Sequence, residues 1–188
     1  SFLLIAAPLR KLSIERFTLS YFMSIGLAFM FIEISLMQQL ILFLGQPTYS
    51  VTVVLVSILF FSGIGSYSSQ RISWKRGFLF LETFLLLLIF GLSLMIHSFL
   101  GLELYVKCIF TLAVLAPLSF FMGIPFPAGI SLLNEKQVPY AWCVNGCASV
   151  CGAVVSVIVA LSFGFRLVLG LGFLCYAVAL VARRSANQ

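Results

Sequence analysis

FTLSYFMSIGLAFMFIEISLMQQLILFL, residues 17–44, is an almost unbroken apolar run with one carboxylate, Glu33, in its middle. About 20 apolar residues at roughly 1.5 Å rise cross the hydrocarbon core of a bilayer, so the run is long enough to span it. A charged side chain at the bilayer centre costs about 2.5–3.5 kcal/mol on insertion scales. Glu33 is therefore expected to face protein, water or a cation, not lipid. Its helical face also carries Gly26, Met30 and Met37, so that face is expected to point inward.

The rest of the composition agrees with a membrane protein. Hydrophobic residues make up 62% of the 188 and charged residues only 9%. Soluble domains carry about 25% charged residues, so this chain lacks the polar surface to cover itself in water. The mean hydropathy is +1.19. The net charge is +6. A basic patch on a soluble surface would point to nucleic acid, but these cations sit between apolar runs and are read as topology signals. No secretory signal is legible, because no charged region precedes the first apolar residues. Residues 1–16 read as a cytoplasmic lead-in or the tail of a preceding membrane helix.

Six spans are expected, making an all-α polytopic bundle over residues 17–184 with a short tail at 185–188. They run about Thr18–Leu44, Tyr49–Ser69, Gly77–His97, Leu104–Gly123, Tyr140–Ser162 and Phe165–Ala182. Gly45-Gln46-Pro47-Thr48 is a turn, Pro117 a candidate kink, and Ile124–Pro139 the longest connection. Arg10, Lys11, Arg16, Arg71, Lys75, Arg76, Lys136, Arg183 and Arg184 fall on one side of this scheme, and only Lys107 and Arg166 on the other. The positive-inside rule then puts both termini in the cytoplasm.

Several residues are candidates for function. Glu33 could relay a proton, hold a cation, pair with an Arg or Lys, or serve as a structural acid bonded to a neighbouring helix. Gln38 and Gln39 follow on the same helix, with Gln39 one turn from Ser35, and suit interhelical hydrogen bonding. Gly123-Ile-Pro125-Phe-Pro127-Ala-Gly129 cannot continue a regular helix, since each proline removes a backbone donor. It reads as a re-entrant element or an interfacial terminator. Asn145 is the polar exception of the fifth span. Ala148, Gly152, Ser156 and Ala160 form a small-residue stripe suited to close packing. Cys143, Cys147 and Cys151 share a face of that span and are read as small packing residues, because a low-dielectric site opposes the thiolate that a metal needs. Glu82 and His97 are read as solvated near the membrane faces. With no Asp in the chain, no Ser-His-Asp arrangement exists, and no catalytic residue, metal site or cofactor is expected.

Phe31-Ile-Glu33-Ile-Ser-Leu-Met-Gln38-Gln39, Leu42-Phe-Leu-Gly45-Gln-Pro47-Thr48-Tyr49 and Phe61-Ser-Gly63-Ile-Gly65-Ser66 resemble the membrane region of spermidine-synthase-like integral membrane proteins. Met122-Gly-Ile-Pro125-Phe-Pro127-Ala-Gly129, Trp142-Cys-Val-Asn145-Gly146-Cys-Ala-Ser149-Val and Ser162-Phe-Gly164-Phe165 continue the likeness, which covers most of residues 17–165. Gln46, Cys147 and Cys151 depart from it, where His and small residues are expected. The resemblance implies a multi-span module that works with a soluble domain of the S-adenosylmethionine-binding type. The glycine-rich loop of such a domain has no match in this sequence.

Three functions are open at this point. One is a non-catalytic membrane module that anchors or regulates a transferase domain, or presents it with a membrane-borne substrate. A second is half of a secondary transporter with a mid-membrane Glu site, suited to a proton or a polyamine. A third is an accessory subunit of a larger membrane complex. All three imply the lipid bilayer and other membrane subunits, or a missing soluble domain, as partners, and a bacterial inner membrane as location. The topology is open to a direct check. In a background without the native cysteines, single cysteines at Ser73 and Asn187 are expected to label from one face of the membrane, and one at Ser98 from the other.

Overall fold

The computed structural model describes residues 16–185. Seven helices follow one another: α1 Arg16–Leu44, α2 Pro47–Ser68, α3 Trp74–Phe99, α4 Leu104–Met122, α5 Pro125–Ile130, α6 Val138–Phe163 and α7 Phe165–Ser185. No strand occurs among the described residues. The expected lead-in and tail lie outside them, except for Arg16, which opens α1, and Ser185, which closes α7. Six segments are long and apolar enough to cross a membrane, with α4 and α5 together forming the fourth, Leu104–Ile130.

The connections follow from local chemistry. Gly45 takes φ 81°, a left-handed conformation that only glycine adopts freely, and its N–H caps Ile41 O at 2.8 Å. Pro47 then starts α2 at its first turn, where no N–H is needed. Gly164 (φ 86°) alone separates α6 from α7, and its N–H caps Ala160 O at 2.8 Å. The long connection expected at 124–139 is shorter than the sequence suggested. Pro125 and Pro127 fall in the first turn of a new helix, where missing N–H groups cost nothing, so they begin α5 instead of excluding a helix. In the same way Pro139 sits in the first turn of α6, which starts at Val138, earlier than Tyr140. Pro117 lies within α4 without ending it.

α1 is the hub. Tyr21, Phe22, Ala28, Ile32, Leu36, Leu40 and Phe43 on it are fully buried. Its main partners are α6, α7 and α2, with lesser contacts to α3, α4 and α5, and α2 packs separately on α4. Lipid tails are as apolar as leucine, so these helices are held by close packing and not by exclusion of apolar surface from a polar solvent. Glycines set the closest approaches. A Cβ on Gly65 would collide with the Phe120 carbonyl, and one on Gly123 with that of Ser62, which fixes the α2–α4 crossing. A Cβ on Gly26 would lie 2.5 Å from Asn145 O, and one on Gly172 2.9 Å from Ile32 Cγ1. Gly63, two residues from Gly65, meets nothing within 4 Å.

This contrast gives a paired test. Gly65→Ala is expected to destabilise the bundle in detergent by ~1–3 kcal/mol, the usual cost of overpacking. Gly63→Ala should leave the melting midpoint unchanged. Equal midpoints for the two variants would contradict the α2–α4 crossing.

Candidate functional site

A cleft of about 500 Å³ lies between α2 and α6, floored by α1 and closed at one end by the break between α4 and α5. It exists because α2 and α6 both lean on α1 but scarcely touch each other. Ile25, Phe29 and Met30 of α1 form its floor. Leu59, Ser62, Gly63 and Ser66 line the α2 side, and Trp142, Asn145 and Ser149 the α6 side. Leu59 is 65% and Trp142 61% exposed, so the mouth faces the outer surface of the bundle.

The broken helix supplies the polar end. Pro125 and Pro127 offer no N–H to Phe121 O and Gly123 O. Phe121 O is partly compensated by the Ile124 N–H at 3.2 Å. Gly123, whose carbonyl loses its helical donor, lines the cleft. Irregular backbone at membrane depth is tolerated where it is packed in protein or lines a cavity. Here the break is braced from behind, as Tyr21 Oη donates to Pro125 O at 2.6 Å. A Cβ on Gly129 would collide with the Tyr21 ring, so that position needs glycine for α5 to seat on α1. Across the gap, Phe126 packs edge-on against Trp142 with centroids 4.6 Å apart. Ser149 Oγ donates to Asn145 O at 2.9 Å and lies 3.4 Å from Gly26 O.

No charged residue among those described lines this cleft. Its serine hydroxyls form no hydrogen bond to a histidine or carboxylate of the described residues that could activate a nucleophile. Apolar walls with a few amide, hydroxyl and carbonyl groups suit binding of an amphipathic molecule.

The four residues read as one intramembrane polar site are distributed over separate places. Asn145 lies against Gly26, and its Oδ1 would be 3.0 Å from a Cβ there. Glu33 stands seven residues further along α1, about 10 Å away at the helical rise, outside the cleft lining. It is 9% exposed and has no hydrogen bond or ion pair with a described residue. Because α1 and α6 run in the same direction, with Gly26 beside Asn145 and Met30 beside Gly152, the register carries Glu33 to the level of Ser156. Gln39 Nε2 donates to Ser35 Oγ at 3.0 Å, and Ser35 Oγ donates to Phe165 O at 2.7 Å, so Gln39 helps tie α1 to the start of α7. Gln38 is exposed.

On α6, Ala148, Gly152, Ser156 and Ala160 are all buried, with Gly152 against Leu27 and Met30. The cysteine reading needs correction. Cys143 and Cys151 are exposed on the outer face of α6 and Cys147 is half-buried, so these thiols do not pack between helices. The small stripe already occupies the inner face, and a weakly polar thiol is tolerated outside. Among the described residues no group of His, Cys or carboxylate side chains could hold a metal ion.

Glu82 also departs from expectation. Both its oxygens are shielded and without a hydrogen-bond partner, because α3 begins at Trp74 and places Glu82 more than two turns inside. His97 is exposed near the end of α3. Sequence reasoning overlooked Arg183, which is 5% exposed, stacks over the Trp74 ring at 5.5 Å, and has Nε and Nη1 without partners. It was read only as half of a terminal Arg-Arg pair. The recurrence of Val168, Leu169, Gly172, Tyr176, Ala179 and Arg183 on the buried face of α7 was the available signal.

Glu33→Gln is expected to leave thermal stability within ~0.5 kcal/mol, since no described partner would be left unpaired. A loss above ~2 kcal/mol in a detergent melt would reveal an ion pair at Glu33.

No family model, no curated protein and no solved structure matches this chain.

Proposed function

We propose that the chain is a non-catalytic module of an integral membrane protein that admits an amphipathic, membrane-borne molecule sideways into the α2–α6 cleft and holds its polar part at the broken helix. The observation that carries this reading is a cleft with apolar walls, a few amide and hydroxyl groups and an outward mouth, which ends at the break marked by Pro125 and Pro127. In keeping with the resemblance to the membrane region of spermidine-synthase-like proteins, the module would present that molecule to a transferase domain or partner subunit. The end of the bundle bearing Arg71, Lys75, Lys136 and Arg183 would then be cytoplasmic, in a bacterial inner membrane.

The broken helix also favours a second reading, half of a transporter, because discontinuous helices form substrate sites in such proteins. Its substrate would then meet Gly123 and Asn145 before Glu33, which lies outside the cleft.

A phospholipid bearing a diazirine on its acyl chain tests the binding reading. Photolabelling is expected to concentrate on peptides containing Ile25–Met30 and Leu59–Gly63, which line the floor and the α2 wall of the cleft. Gly63→Leu adds bulk where open space exists and should cut that labelling at least fivefold without lowering the melting midpoint. Uniform labelling of all outer faces, unchanged by Gly63→Leu, would refute a cleft-bound ligand.

A further inference from the structure

A second cavity, of about 670 Å³, opens at the basic end of the bundle, between the end of α2, the start of α3, α5 and the end of α7. Arg71, Arg183, Gln70, Ser69, Ser73 and Ser131 supply polar lining, and no carboxylate of the described residues lines it. It shares Ser66 and Pro127 with the apolar cleft, so the two cavities adjoin at these residues.

Arg183 makes this more than a solvated basic surface. It is only 5% exposed, yet Nε and Nη1 have no hydrogen-bond partner among the described residues. Trp74 takes one face of the guanidinium, and Tyr21, the nearest polar ring, has its hydroxyl committed to Pro125 O. A buried cation without a counter-ion is unfavourable, and guanidinium groups match phosphate oxygens through paired N–H donors. Arg71 is exposed at the rim, and the serine hydroxyls and Gln70 can donate to further oxygens.

We infer that this cavity binds the phosphate of an anionic amphiphile, with Arg183 and Arg71 as its charge partners, while the apolar part of the same molecule runs past Ser66 into the α2–α6 cleft. This deepens the function proposed above and rests on it for the placement of the tail. Basic pockets between membrane helices suit lipid headgroups on general electrostatic grounds. An outward-facing apolar cleft adjoining the cavity at Ser66 and Pro127 favours a lipid over a free phosphate.

The full chain in detergent, stripped of lipid, would be titrated with phosphatidylglycerol, phosphatidylcholine and soluble glycerol 3-phosphate and read by native mass spectrometry. One phosphatidylglycerol is expected to be retained about tenfold more tightly than phosphatidylcholine, with glycerol 3-phosphate not retained. Arg183→Gln should reduce the preference to near unity, and Arg71→Gln by about threefold. Arg71 is exposed in the connection between α2 and α3, so its variant reports even where Arg183→Gln fails to fold. Gly63→Leu should weaken both lipids equally and keep the preference. A preference unchanged in Arg71→Gln and in folded Arg183→Gln would overturn the phosphate site while leaving the cleft intact. Retention unaffected by Gly63→Leu but lost in the arginine variants would overturn the tail placement alone. Equal retention of glycerol 3-phosphate would overturn the lipid as source.

Discussion

Close backbone approach around α1 is the constraint on which the bundle depends. In lipid, a helix gains little from hiding leucines, so a stable arrangement needs contacts tighter than lipid chains can offer. Gly26 against Asn145, Gly152 against Met30 and Gly172 against Ile32 provide them on two sides of one helix. The same economy appears at Gly65 and Gly123, where α2 and α4 meet backbone to backbone. Hydroxyl bonds reinforce these contacts. Ser50 donates to Met37 O at 2.5 Å and Ser35 to Phe165 O at 2.7 Å, each tying α1 to a neighbouring helix.

A helix that packs so tightly on α6 and α7, and also on α2, cannot let α2 and α6 close on each other. The cleft is the geometric remainder of that choice. Its polar end comes from a different source, the paired prolines that divide the fourth span. A continuous helix there would have shielded its carbonyls. The break leaves Gly123 O without its usual donor, while Tyr21, deep in the core, holds the short α5 in place. Rigid support behind the break and open space before it are what a binding site on irregular backbone requires.

Charge is distributed unevenly within this frame. The cations of the far end are engaged locally, Arg166 with Ile89 O at 3.2 Å and Lys107 over the Phe43 ring at 5.5 Å. At the opposite end Arg183 and Glu82 are both shielded and both lack hydrogen-bond partners for the atoms concerned. Polar groups left unmet on these two helices carry an energetic cost that packing alone does not explain. That cost is the physical ground for seeking an anion near Arg183.

Much was legible from the sequence because bilayer thickness acts on every span in the same way. Apolar runs of about 20 residues, turn residues between them and the lopsided placement of Lys and Arg required only local reading. The small-residue stripe from Ala148 to Ala160 and the break at Pro125 were visible for the same reason, as periodicity and missing donors are properties of the chain itself. Burial of a given polar residue is not. Glu33, Gln38, Gln39 and Asn145 are neighbours only in chemical type, and helix rotation and register put Asn145 in the cleft wall, Glu33 about one turn past Met30 and outside the cleft lining, and Gln38 on the exposed surface. Glu82 went inward because α3 starts earlier than its apolar run suggested. Arg183 went inward because α7 leans on Trp74. Gly63 and Gly65 are equivalent letters in one apolar helix, yet one faces open space and the other a carbonyl. Which of two such residues lines a site depends on where the neighbouring helices stand, and that is set by the joint packing of all six spans around α1.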